Sequence, residues 1–243
     1  MPIEPETPRW ALPDLHDMPE GRELVAVGAD LSPGMLLAGY RSGLFAMPDG
    51  RELGWWSPDP RGVLLPGRVH VSRSLRRTLN RVEVSIDQSF AEVVAACADL
   101  RRPHGWISPG YRASYLELHR LGWAHSIEVW SSDGRLAGGL FGVEVGGLFA
   151  AESKFHVSTD ASKVAVVALA DLLAADGDAR RVIDVQWCTE HLASLGAVEV
   201  PRPVYLRALP GALACAPLLS DRPGTVRHWE PAALPSRIRW RRA

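Results

Sequence analysis

The sequence predicts an α+β fold, helices packed on a mainly antiparallel sheet, and three observations carry that reading. Strand-patterned segments follow one another across turn-forming residues between Ala124 and Ser153, which makes an antiparallel meander. Segments with helical apolar spacing precede the meander, and a long one, Ala161 to Ala175, follows it and leads into an apolar strand, Val182 to Trp187. The 243 residues are 47% hydrophobic and 23% charged, close to globular averages, so the chain can bury a large core and does not read as disordered, collagen-like or coiled-coil.

In chain order, the first 60 residues predict a small, turn-rich unit whose helix, Ser32 to Gly43, carries Leu36, Leu37 and Tyr40 between Pro and Gly breakers. Trp55-Trp56-Ser57-Pro58-Asp59-Pro60 reads as an aromatic plug beside a turn. Ser72 can cap a helix that contains Arg73, Leu75, Arg76, Arg77, Leu79 and Arg81. Val82 to Ile86 alternates as a strand, and Asp87 is placed to cap a helix whose Phe90, Val93, Val94 and Cys97 fall on one face. A further helix, Tyr111 to Leu121, is closed by Gly122 in the left-handed conformation.

The meander strands are Ala124 to Ser131, Arg135 to Val145 and Leu148 to Ser153. After the long helix and apolar strand, Thr189 to Leu195 predicts a short helix that Gly196 ends. From residue 210 the chain is Pro-rich without periodicity and reads as a wrapped or partly disordered tail. The expected organisation is a small N-terminal domain (1–65), a larger domain (66–209) and a Pro/Arg-rich tail (210–243).

Several function classes drop out. No window approaches the ~18 apolar residues of a membrane span, and the acidic, Pro-rich start lacks the regions of a signal peptide, so a cytoplasmic protein with no membrane partner is expected. The three cysteines are odd in number and far apart, which suggests buried free thiols. Cys188 and His191 read as packing residues. There is no G-x-S-x-G, P-loop, G-x-G-x-x-G or H-E-x-x-H, and the histidines lack metal-ligand spacing, so neither a metal nor a cofactor is expected.

The net charge of −1 hides a segregation: residues 61–81 hold six arginines and no acid, whereas residues 1–60 hold ten acids against four arginines. At 100° per residue Arg73, Arg76, Arg77 and Arg81 fall within about 140° of arc, with Leu75 and Leu79 opposite. A merely solvated face would interleave acids, and this one does not, so the stripe suits a phosphate backbone. On the apolar strand, a period of two puts Asp184 and Gln186 on one face and Ile183 and Val185 on the other. A carboxylate in such a setting is hydrogen-bonded or functional. Glu152, at the end of the third meander strand, is a second acid among apolar neighbours.

These segments resemble one family. Val27-Gly28-Ala29-Asp30-Leu31-Ser32, Tyr40-Arg41-Ser42-Gly43-Leu44-Phe45, Trp55-Trp56-Ser57-Pro58-Asp59-Pro60-Arg61 and Ser72-Arg73-Ser74-Leu75-Arg76-Arg77 are similar to the bacterial leucyl/phenylalanyl-tRNA-protein transferases. So are Trp106-Ile107, Ala124 to Trp130, Glu152-Ser153, Ala161-Ser162-Lys163, and Ile183 to Gln186 followed by Ala193 to Ala197. The matches run in order over residues 24–206, and their number makes them specific.

The resemblance implies a small N-terminal domain on an acetyltransferase-like (GNAT-like) mixed sheet with flanking helices. It also implies an activity: moving Leu, Phe or sometimes Met from aminoacyl-tRNA to the α-amine of a protein that begins with Arg or Lys, which marks that protein for N-end-rule degradation. By the same resemblance Asp184 and Gln186 would be the catalytic pair, and Glu152 would hold the acceptor's basic side chain. Arg73, Arg76 and Arg77 would grip the tRNA acceptor arm and Trp106 would stack on its terminal adenosine. Leu140, Phe149, Val166, Leu169, Leu173 and Ile183 would line the aminoacyl pocket. Two positions depart from the family: Ala46-Met47 stands where Pro-Trp is usual, and Lys154 where Met is usual. An acetyl-CoA-dependent acyltransferase of the same fold would need a Gly-rich pyrophosphate loop before the long helix, and residues 148–176 contain no glycine.

Overall fold

Two sheets, one of three strands and one of seven, organise the protein in its computed structural model, which describes residues 1–16, 18–99, 101 and 105–220. The α+β expectation holds. The small sheet contains β1 (Leu24–Val27), β2 (Phe45–Asp49) and β3 (Glu52–Trp56) in the order β1-β3-β2, all antiparallel, with helix α1 (Pro33–Arg41) between β1 and β2. Trp55 is a buried residue of β3, which ends at Trp56 beside the following turn. Its ring lies so close to α1 that a Cβ on Gly39 would come within 2.7 Å of it, which is why that helical position has no side chain.

The large sheet runs β10-β4-β9-β8-β7-β6-β5 and comprises β4 (Arg61–Leu64), β5 (Glu83–Ile86), β6 (Ala124–Trp130), β7 (Leu136–Val145), β8 (Leu148–His156), β9 (Val182–Gln186) and β10 (Val198–Val200). Every neighbouring pair is antiparallel except β8 and β9. The connection between those two contains the long helix α5 (Ala161–Ala174). Helices α2 (Arg73–Leu79) and α5 belong to one apolar core, together with Leu64, Leu140, Phe149 and Ile183. Helices α1, α3 (Phe90–Cys97), α4 (Pro109–Arg120) and α7 (Arg202–Leu213) belong to a second core with Phe45, Phe141 and Val143. Helix α6 (Glu190–Ala193) follows β9 and is capped by Thr189, whose hydroxyl accepts from the Leu192 N–H at 3.3 Å. A Cβ on Gly138 would sit 2.7 Å from the Ala161 Cβ, so a bare strand position lets α5 approach the sheet.

Several local expectations change. Asp87 does not cap α3; with φ 57° it turns back, accepts the Ser126 N–H at 2.7 Å and meets the His125 ring 2.6 Å away. Helix α2 ends at Leu79, which leaves Arg81 just outside it. Strand β8 runs three residues past Ser153, and α7 carries the chain to Leu213, inside the segment read as tail. Residues 218–220 are also anchored: the buried Glu144 carboxylate accepts the backbone N–H groups of Leu218, Leu219 and Ser220 at 2.7 to 3.1 Å. The rest of the tail lies outside the described residues.

Candidate active site

The site begins where two strands part. β8 and β9 pair only from Leu148 to Ala150 and from Val182 to Asp184. Beyond that point each carries an extra residue. Glu152 is unmatched on β8, since Gly142 pairs with Ala151 and Phe141 with Ser153, and Val185 is unmatched on β9, since Val63 pairs with Asp184 and Gly62 with Gln186. Bulges bend strands and re-aim side chains. Glycines opposite permit both: a Cβ on Gly142 would lie 2.2 Å from the Ala150 carbonyl oxygen, and one on Gly62 would lie 2.7 Å from the Cys188 nitrogen.

A cavity of about 200 Å³ opens there. Its apolar lining includes Leu140, Val166, Leu169, Ile183, Val185 and Leu192, and its polar lining includes Glu152, Ser153, Lys154, Gln186 and Thr189. An apolar cavity of ~150 Å³ accepts benzene, so this space has room for one phenyl or branched aliphatic side chain. Of the six residues expected to line an aminoacyl pocket, Leu140, Val166, Leu169 and Ile183 are at its wall. Phe149 and Leu173 are buried in the same core without lining the cavity.

Asp184 does not face this space. Its side chain is 1% exposed and forms a two-pronged pair with Arg61, also 1% exposed: Arg61 Nε donates to Oδ1 at 2.9 Å and Nη2 to Oδ2 at 2.6 Å. Tyr205 donates its hydroxyl to Oδ2 at 2.9 Å, and the Gln186 backbone N–H donates to Oδ1 at 3.0 Å. The link between Asp184 and Gln186 therefore runs through the backbone, and the simple alternation of the two polar side chains breaks at the bulge. Gln186 has φ 59°, a left-handed conformation that costs a residue with a Cβ about 1–2 kcal/mol. With its amide oriented so that both ends meet complementary partners, the side-chain nitrogen donates to the carbonyls of Ala151 and Val185 at 3.1 and 3.0 Å, which bridges the gap between β8 and β9.

Glu152 has a different setting. Tyr40 on α1 donates to Oε1 at 2.9 Å and Tyr115 on α4 donates to Oε2 at 2.5 Å. Burial pushes its carboxyl up from 4.5 to about 7 and outweighs the two hydroxyls, which favour the ionised form; the Asp184 charge raises it further and Arg61 lowers it. Burial and the adjacent Glu152 charge also hold both phenols well above the ordinary tyrosine range. Lys154 lines the same cavity. Burial lowers the His191 imidazole, the charges of Lys154, Lys163 and His156 lower it further, and Asp160, which pairs with Lys163 at 3.1 Å, raises it.

The residues read as nucleic-acid contacts are on α2 and just before α4. On α2 the Ser72 hydroxyl accepts the Leu75 N–H at 3.2 Å, Leu75 and Leu79 are buried, and Arg73, Arg76 and Arg77 are exposed, forming no ion pair among the described residues. Trp106 is half-buried and meets Tyr111 and Tyr115 edge-on, with ring centres 5.1 and 6.4 Å apart. Through Tyr115 it neighbours Glu152. Arg61, Tyr205, Tyr40 and Tyr115 were given no site role from sequence. The available signals were an arginine opening an apolar strand and tyrosines on apolar helix faces, where a buried hydroxyl needs a partner. Among the described residues no group of three or more His, Cys, Asp or Glu could hold a metal, and no helix is long and apolar enough to cross a membrane.

Residues 63–210 match the family model described as leucyl/phenylalanyl-tRNA protein transferase, and residues 29–59 match the model of its N-terminal domain. The leucyl/phenylalanyl-tRNA–protein transferase of Aromatoleum aromaticum is 52% identical over 79% of this chain and 81% of its own. The protein of the same description from an Anaeromyxobacter species is 47% identical over 90% of both chains, and that from Edwardsiella ictaluri is 44% identical over 80% of this chain and 79% of its own.

Proposed function

The chain belongs to the leucyl/phenylalanyl-tRNA protein transferase family, and on that premise we propose that it transfers Leu, Phe or Met from tRNA to the α-amine of proteins that begin with Arg or Lys, in the cytoplasm, marking them for degradation. The observation that carries the reading is the meeting of Glu152 and Gln186 on an apolar cavity of side-chain size. The parallel pair β8–β9, which parts to open the site, supports an acetyltransferase-like reading of the large sheet.

In this reaction the acceptor amine attacks the ester carbonyl that joins the amino acid to the terminal ribose. A C–N bond forms, the ester C–O bond breaks, and the proton that the amine gives up reaches the leaving ribose oxygen through the neighbouring hydroxyl or a water molecule. An α-amine with a pKa near 8 is about one-tenth neutral at pH 7, so the demand is for placement more than for a strong base. Gln186 is a neutral amide and supplies placement: its oxygen accepts a hydrogen bond from the amine. Asp184, with fixed donors on both oxygens, holds Gln186 rather than taking the proton. The aminoacyl side chain enters between Leu140, Val166, Leu169 and Ile183, with Phe149 and Leu173 supporting that wall. Glu152 pairs with the acceptor's Arg or Lys side chain, Trp106 stacks on the terminal adenosine, and Arg73, Arg76 and Arg77 take the phosphates of the acceptor arm.

The test offers Phe-, Leu- and Met-charged tRNA to a peptide beginning with Arg and reads the product by mass. One added aminoacyl residue is expected. No extended peptide from any of the three donors would defeat the reading. In the same assay, replacing Arg73, Arg76 and Arg77 together should lower the salt dependence of tRNA binding by roughly 2 log units per log unit of salt; an unchanged slope would move the tRNA surface elsewhere.

A further inference from the structure

We propose that Arg61 and Tyr205 are positioning residues for the transfer: they fix the Asp184 carboxylate, and Asp184, through the backbone N–H of Gln186, keeps that residue in the left-handed conformation that presents it to the cavity. The inference rests on the aminoacyl-transfer reading and names residues which that reading leaves without a role.

A carboxylate offers about four acceptor sites, and Asp184 has four fixed donors on its two oxygens. The donors come from separate parts of the chain: Arg61 from β4, Tyr205 from α7 and the amide from β9 itself. Arg61 has little freedom to tilt. Its Nη1 donates to the Gly43 carbonyl at 3.1 Å, and the rings of Phe45 and Tyr205 lie 5.1 and 4.7 Å from its guanidinium carbon. The fork thus ties the N-terminal unit to the catalytic strand. Its two parallel N–H groups match the carboxylate, which a lysine ammonium cannot reproduce. Tyr205 acts twice, as a hydroxyl donor to Asp184 and as a wall for Arg61. A buried ion pair kept only for stability would not need to meet the one backbone amide that holds Gln186 at φ 59°.

The experiment follows single-turnover transfer from Phe-tRNA to an Arg-starting peptide in wild type, Tyr205→Phe, Asp184→Asn and the double variant, with Phe-tRNA affinity measured alongside. Tyr205→Phe keeps the ring and removes one donor. It should slow the turnover about 5- to 10-fold with Phe-tRNA affinity unchanged, and should cost nothing further in the Asp184→Asn background, because residues that act as a unit are not additive. Arg61→Lys, if folded by circular dichroism, should be slower by on the order of 10². Normal turnover in Tyr205→Phe, or the same fold-loss in both backgrounds, would overturn the proposal. Failure of wild type to make product would instead defeat the aminoacyl-transfer reading, and the positioning role with it.

Discussion

Asp184 on β9 and Glu152 on β8 are carboxylates of one site, and their neighbours give them opposite characters. A guanidinium fork holds Asp184, so its charge is matched where it sits and its oxygens are occupied. Two neutral phenols hold Glu152, no salt bridge to it is formed among the described residues, and burial keeps its carboxyl near 7. Residue type is nearly the same; the partner decides the role. A carboxylate that already has its cation can set geometry, and one still short of a cation can receive the cation of a substrate.

The sharpest way to break this contrast is to remove the charge of Asp184. Asp184→Asn keeps the shape but puts an amide against the Arg61 fork, and transfer should slow by on the order of 10² or more while charged tRNA still binds. Near-normal turnover would return Asp184 to a structural role. The next largest effect is with pH. Glu152 is raised, so it is neutral below about 7 and ionised above, and only the ionised form pairs with an acceptor guanidinium. The acceptor amine itself titrates in the same direction for every peptide, so the informative quantity is the ratio of kcat/KM for Arg- over Ala-starting peptides. That ratio should fall as pH drops through 7, by up to about tenfold per unit. A flat ratio between pH 6 and 8 would show that Glu152 does not read the acceptor.

Tyr115→Phe sharpens the same point: it removes a hydrogen bond that favours the ionised form, so the midpoint of that ratio should move upward, and a downward move would reverse the assigned cause. The smallest effect is expected at Lys154, on the cavity wall. Lys154→Met should change Leu and Phe transfer by less than about threefold, since a long aliphatic stem already covers apolar surface. A large gain in Phe transfer would show that the ammonium narrows the pocket.

Much of this was legible in the sequence, and what was not has physical causes. The meander, α5 and β9 are apolar runs of strand or helix length bounded by turn-forming residues, and such a run is a local signal. The N-terminal strands have none, since β2 contains Pro48 and β3 contains Gly54, and they exist because the sheet packs on α1. Helix α7 was hidden by Pro203 and Pro210, although Tyr205, Leu209 and Ala212 keep helical spacing. In the site, Asp184, Gln186 and Glu152 stood out as polar residues in apolar strands. The bulges at Glu152 and Val185 did not, because register is a property of pairs of strands. Arg61 and Tyr205 lie 123 and 21 residues from Asp184, and only the fold brings them together.

The division of labour between the two carboxylates is tested most directly by kcat/KM for Arg-, Lys- and Ala-starting peptides in wild type, Glu152→Gln and Asp184→Asn. Glu152→Gln keeps the shape and removes the charge, so it should cost about 2 kcal/mol for the Arg peptide, somewhat less for Lys and little for Ala. Asp184→Asn should lower all three by the same factor. Equal losses on all three peptides in Glu152→Gln, or a loss confined to basic acceptors in Asp184→Asn, would contradict the account.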